Sequence, residues 1–179
     1  MRKDGKTVII RPLMERDLEA LVRWNNDPEV EQFMDGPQPQ NLEECKEWYR
    51  DCDHTRNYRL YALENEKGIL LGELELDHIV WRRKEAELRI CIGEKNYWNQ
   101  GYGRAAIESL LGLAFSQLNL NHVYLRVYLF NERAIRCYEH VGFRRNACLR
   151  RKNDQNWKPL LLMDIKKENF IMAQHKHHA

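Results

Sequence analysis

The sequence predicts a mixed α/β domain, α+β-like in its order, with a central and mostly antiparallel sheet flanked by helices. Three observations predict it. Two helical patterns precede most of the strand-like runs. Three strand-like runs then follow one another with no helix between them. A glycine loop, "WNQGYG" (98–103), next opens a long helix. The three consecutive strands exclude a strictly alternating dinucleotide-type unit.

Each element has a local reason. "TVIIR" (7–11) is rich in β-branched residues and reads as the first strand. "MERDLEALVRWNND" (14–27) sets Leu18, Leu21, Val22 and Trp24 at helical spacing. Pro28 interrupts it, and "FMDGPQPQ" (33–40) reads as a loop. Asn41, with Glu44 three residues on, predicts a capped helix to about Asp53. "YRLYALEN" (58–65), a turn at Lys67 and Gly68, "ILLGELELDHI" (69–79) and "EAELRICIG" (85–93) follow as strands. The last alternates: Leu88, Ile90 and Ile92 face one side, and Glu87, Arg89 and Cys91 the other. "RAAIESLLGLAFSQL" (104–118) carries a stripe of Ala106, Leu110, Leu113, Ala114 and Leu118. "HVYLRVYLF" (122–130) is a strand. "NERAIRCYEHVGF" (131–143) is a short helix with Asn131 as N-cap and Gly142 at its end. Strands near 147–151 and 160–165 close the chain.

With 179 residues the chain is long enough for one well-filled domain, expected over 1–170. The His-rich segment 171–179 is expected to be a disordered tail. Lys and Arg number 29 against 27 Asp and Glu, a net +2 with no basic stripe, so no nucleic-acid partner is expected. "RRKNDQNWK" (150–158) is basic and holds a Trp; it reads as a solvated hairpin. No apolar run approaches the ~18 residues of a membrane span, and "MRKDGKTVII" lacks the apolar segment of a signal peptide. The five cysteines form no CxxC pair, which points to reduced thiols and a cytoplasmic location.

The glycine loop offers two readings. Gly101 and Gly103 can take positive φ and let the backbone approach a ligand. At a helix start, free N–H groups and the dipole favour an anion such as a diphosphate. The same glycines equally suit a bare turn, and their spacing matches neither GxGxxG nor GxxxxGK[ST]. Glu87 either reaches a substrate amine as proton acceptor or pairs at the surface with Arg89 or Arg83. Tyr138 either packs its ring in the core or offers its hydroxyl to a leaving thiolate. Cys91 and Cys137 read as buried thiols rather than nucleophiles.

From "VIIRPLMERDLEALVRWNNDPEV" to "NERAIRCYEHVGF", these features together resemble the GCN5-related N-acetyltransferase (GNAT) superfamily. More narrowly, the chain resembles its bacterial branch acting on ribosomal-protein N-termini, polyamines and small amines. The resemblance implies acetyl-CoA as co-substrate, no metal, and direct attack of a primary amine on the thioester. It implies that backbone groups of Asn99, Gln100, Gly101, Tyr102, Gly103 and Arg104 hold the pyrophosphate. Trp98 stands where the family pattern has Gln or Arg. The resemblance also places Cys91 and Ile92 on the splayed strand beside the thioester carbonyl, and Asn131 near the pantetheine arm. It makes Tyr138 the proton donor to the departing thiolate and Glu87 the base. The acceptor is expected to be a small cationic amine or a peptide N-terminus, bound by Trp24–Glu31, Phe33–Gly36, Trp81–Glu85 and Asp154–Trp157, with Asp27, Glu31 and Asp35 attracting the cation. A homodimer is a further implication. A different acyl-CoA donor, or a non-catalytic CoA-binding sensor, are the competing readings.

Overall fold

The apolar runs become strands β1 (Val8–Pro12), β2 (Arg59–Asn65), β3 (Leu70–Val80), β4 (Glu85–Ile92), β5 (His122–Tyr128), β6 (Arg144–Leu149) and β7 (Leu160–Lys166). The computed structural model describes residues 6–149 and 158–176. Among these the strands form one seven-stranded sheet in the order β1-β2-β3-β4-β5-β7-β6. Neighbours pair antiparallel throughout except β4 and β5. That one parallel step is where a long helix joins two adjacent strands, because a parallel connection must cross over the sheet.

Helices cover both faces. Leu18, Leu21 and Trp24 of α1 (Leu18–Asn25), Val30 of α2 (Pro28–Glu31) and Cys45 of α3 (Leu42–Asp53) cluster with Ala62 of β2. Cys91 and Trp98 pack against that cluster. The larger core lies on the opposite face. It joins Leu74, Leu76, Leu88, Val123, Leu125 and Met163 to Ile107, Leu110 and Leu111 of α4 (Tyr102–Ser116), and to Ile135 and Val141 of α5 (Glu132–Val141). Phe170 of α6 (Lys167–Lys176) packs its ring 5.6 Å from Phe115. The expected tail is therefore helical to Lys176, and 177–179 lie outside the described residues.

Local signals explain the element ends. Pro28 starts a new turn instead of only ending the first: Asp27 caps α2 by accepting from the Glu29 N–H at 3.0 Å. Asn41 Oδ1 accepts from Glu44 N at 3.0 Å, as a cap should, while Glu44 reaches back to Gln40 N at 2.8 Å rather than to the cap residue's own amide. Gly142 ends α5 in the left-handed region at φ 113°, donating to Tyr138 O and Glu139 O. The basic segment 150–157, read as a hairpin, lies outside the described residues.

Gly93 follows β4 and lies under the Trp24 ring. A Cβ there would sit 2.0 Å from Trp24 Cδ2, and Trp24 is 3% exposed, so its ring has nowhere to move. Gly93→Ala is expected to destabilise the fold by about 1–3 kcal/mol through overpacking. Chemical denaturation reads this; a midpoint equal to wild type would show that Trp24 repacks freely.

Candidate active site

β4 and β5 pair only at Glu85↔His122, Ala86↔Val123 and Glu87↔Tyr124. Beyond Glu87 the two strands part, while β4 stays paired with β3 as far as Gly72↔Ile92. Trp98 folds back onto the end of β4, where its Nε1 donates to Ile92 O at 2.6 Å. A cavity of about 450 Å³ opens in the gap. Ile90 and Ile92 line it from the α4–α5 face, and Glu87, Arg89 and Cys91 from the α1–α3 face. The cavity is thus reached from both sides of the sheet.

The α4 side of the cavity is electropositive. Gly101 is the N-cap of α4 at φ 87°, a conformation that costs an L-residue about 1–2 kcal/mol. The helix begins at Tyr102, two residues before the apolar pattern, with no side-chain cap and no acid in its first turn. Its first N–H groups therefore keep no intrahelical acceptor and carry the positive end of the dipole. Asn99 is also left-handed, at φ 59°. Of the two glycines that could take positive φ, Gly103 does not. It sits beside the gap, where a Cβ would make ordinary contacts, 3.6 Å from Ile92 Cδ1 and 3.9 Å from Cys137 Sγ. Arg104, Arg133 and Arg136 line this side. Arg133 stacks over the Trp98 ring at 4.2 Å.

Of the expected site residues, Glu87, Cys91, Ile92, Asn99, Gly101, Gly103, Arg104, Asn131 and Tyr138 all line the cavity. Gln100 and Tyr102 do not: Gln100 donates to Asn96 O at 2.5 Å, and Tyr102 packs edge-on to Tyr97 at 5.5 Å, beneath Lys6. Any part they play in holding an anion is through backbone. Asn131 caps α5, its Oδ1 accepting from Ala134 N at 3.2 Å, which leaves its Nδ2 as the side-chain donor. Tyr138 is buried, its ring 5.8 Å from Phe143, and burial pushes its hydroxyl pKa upward. Burial likewise raises the Cys137 thiol to about 11 and the Cys91 thiol well above its usual value, so neither is a ready thiolate.

The opposite side is acidic. Glu87 is 3% exposed and is not a surface partner of Arg89 or Arg83. It accepts from Arg126 of β5, Nε to Oε1 at 2.7 Å and Nη2 to Oε2 at 3.3 Å. Arg83 pairs with Glu85 instead. Glu73 and Glu75 of β3 join Glu87 in the wall. They were not singled out in the sequence, although the alternation Glu73, Glu75, Asp77 was the available signal.

The acceptor stretches divide. Phe33, Met34 and Asp35 line the cavity, and Asp35 pairs with Arg126 at 3.3 Å. Phe33 stacks on Phe130 at 5.9 Å, closing an aromatic rim that sequence did not reveal. Asp27 pairs with Lys95 at 2.7 Å, and Glu31 is outside the lining. Trp81–Glu85 is also outside it, with Trp81 Nε1 donating to Arg56 O at 3.2 Å. Asp154–Trp157 lies outside the described residues.

Residues 7–144 match the model of the acetyltransferase (GNAT) domain family. The chain is 28% identical over 134 residues to spermidine N(1)-acetyltransferase of Vibrio cholerae, covering 75% of this chain and 77% of that protein. The likeness to spermidine N(1)-acetyltransferase of Escherichia coli K12 is 28% over 139 residues, with 76% and 73% covered. The crystal structure of the Vibrio cholerae spermidine N-acetyltransferase in complex with CoA and spermine superposes with a TM-score of 0.84 at 25% identity, over 92% of this chain and 98% of that one. A dodecameric structure of the Vibrio cholerae protein superposes with a TM-score of 0.79.

Proposed function

The chain belongs to the GNAT acetyltransferase family and transfers acetyl groups from acetyl-CoA to amines; from that premise we propose that its acceptor is a polyamine of the spermidine class. The observation that carries this reading is the charge division of one cavity. Arg104, Arg133, Arg136 and the open start of α4 lie on one side, and on the other Glu73, Glu75, Glu87 and Asp35 outnumber Arg89 and Arg126. The cationic side suits the phosphates of CoA, and the carboxylate side suits an alkylammonium. The relatives that bear polyamine names add support. A peptide N-terminus would need backbone pairing along a groove rather than clustered carboxylates.

In this reading the N–H groups from Gly101 to Arg104 hold the diphosphate, and the cleft beside Gly103 admits the pantetheine arm. Acetyl-CoA supplies the acetyl group as a thioester and leaves as a thiol. The edge of β4 at Cys91 and Ile92, parted from β5, orients the thioester, and its N–H groups steady charge on the carbonyl oxygen. Asn131 holds the arm, and Tyr138 is the proton donor to sulfur. Glu87 fixes Arg126 and, with it, Asp35 at the acceptor rim.

Thiol release from acetyl-CoA tests the reading. Spermidine and spermine are expected to outpace aminoglycosides, amino sugars and short peptides in kcat/KM. A preference for peptides would overturn the polyamine assignment, and CoA binding without turnover on any amine would favour a sensor. The domain is expected to be one unit with a short C-terminal helix. We extend the expected self-association beyond a dimer, because a Vibrio cholerae relative is described as dodecameric. The five cysteines, all free, fit a reducing cytoplasm.

A further inference from the structure

Glu73 presents an anomaly. It is 6% exposed, lines the cavity, and its Oε2 is buried with no hydrogen-bond partner. Such an atom is costly to leave unmet, so a buried example on a residue that lines an open cavity marks a place for a ligand donor. Glu75, two residues along the same face of β3, is 8% exposed and accepts from the Tyr58 hydroxyl. Around Glu73 stand Glu75, Arg89 and Cys91 of the sheet and Cys45 of α3. Around Glu75 stand Tyr58, Arg89, Asp77, Glu87 and Cys52.

Register places this pair better than Glu87. Glu73 lies directly across from Cys91, on the splayed end of β4. Glu87 lies across from Asp77, four residues back along β4, or about 13 Å at strand rise, and its carboxylate is engaged by Arg126.

We infer that Glu73 and Glu75, acting as a pair, receive the reacting ammonium group of the acceptor and take its proton. The inference rests on the acetyl-transfer reading above. Two adjacent buried carboxyl groups favour holding one proton between them, leaving one negative charge. Burial raises both above the usual carboxylate range, and the charge of Glu75 adds to the rise at Glu73, which makes the pair a stronger proton acceptor than an ordinary glutamate. The ammonium N–H proton passes to the pair, which becomes neutral. The freed nitrogen lone pair forms the C–N bond to the acetyl carbon, and the C–S bond breaks. Tyr138 protonates the sulfur and regains a proton from the amide nitrogen through water. The pair returns its proton to solvent.

Steady-state kinetics with acetyl-CoA and spermidine on wild type, Glu73→Gln and Glu87→Gln test this across pH. Glu73→Gln is expected to lower kcat about 100-fold. Its rate should climb with pH as more amine arrives already deprotonated. CoA affinity by calorimetry and the melting temperature should stay at wild-type values. A Glu73→Gln enzyme with wild-type kcat and pH profile overturns the inference, as does Glu87→Gln alone producing that pH signature. If wild type releases no thiol with any amine, the acetyl-transfer reading falls and takes this one with it; that outcome is read from wild type alone.

Discussion

Tyr138→Phe is expected to lower kcat by about 10³ while leaving CoA affinity and the fold unchanged. The ring fills the same space in both proteins, so packing against Phe143 survives and only the hydroxyl is lost. Tyr138 stands in the cavity wall on α5, one residue from Cys137, which flanks the gap beside Gly103. A proton donor to a thiolate must itself be protonated at working pH. Burial, and secondarily the neighbouring Cys137, raises the Tyr138 pKa, so the phenol stays protonated through neutral and mildly alkaline pH. Wild-type kcat should therefore hold past the ordinary phenol value of about 10 and fall only as pH rises through the raised value. In the Phe variant that alkaline limb should vanish. A Phe variant with wild-type kcat would remove Tyr138 from the acid role and leave water as the donor.

Much of the α4–α5 side of the cavity could be read from sequence because its determinants are local. A glycine before a helical stripe, an asparagine three residues before an amide it can cap, and a glycine at a helix end are each governed by near neighbours. Gly101, Asn131 and Gly142 accordingly behave as their surroundings require. "GYG" does not say which of its two glycines takes the left-handed φ; the helix start at Tyr102 settles it in favour of Gly101. The acceptor side was less legible. "GELELD" alternates like any strand with a wet face, and nothing nearby announces that α1–α3 will cover that face and bury Glu73 and Glu75. The partner of Glu87 was missed for the same reason: Arg126 lies 39 residues away and meets it only across the parallel step between β4 and β5. The aromatic rim also depends on distant segments, since Phe33 and Phe130 meet through the tertiary fold.

The other large effect expected is on stability, from Arg11→Met. Arg11 grips Asp17 with two parallel bonds, Nη1 to Oδ2 at 2.7 Å and Nη2 to Oδ1 at 2.8 Å, and its Nε donates to Glu64 Oε1 at 2.8 Å. Asp17 Oδ2 also accepts from Met14 N at 2.9 Å. One guanidinium thus ties β1 to β2 and to the turn that launches α1. The pair is well shielded, at 17% and 5% side-chain exposure, so removing the cation leaves a buried carboxylate uncompensated. The cost should be about 3–5 kcal/mol, a melting shift on the order of 10 °C for a chain of this length. Burial alone would raise the Asp17 pKa, but the hydrogen bonds from Arg11 and Met14 and the nearby positive charge outweigh it, and the net shift is downward. A depressed carboxylate stabilises the fold above its unfolded pKa of about 3.9, and that contribution is lost as pH falls through the lower folded value. Wild type should keep this contribution down to about pH 4. Arg11→Met should lack it at every pH and, with an unpaired buried carboxylate, begin to gain stability on acidification instead. Adding Asp17→Asn should recover much of the loss, because the uncompensated charge and not the missing bond carries most of the cost. A single variant melting within about 2 °C of wild type would show the pair to be energetically neutral. Because Leu18, Leu21 and Trp24 of α1 pack behind the acidic side of the cavity, a loosened α1 should raise KM for the amine more than Kd for CoA, whose proposed contacts lie on α4 and α5.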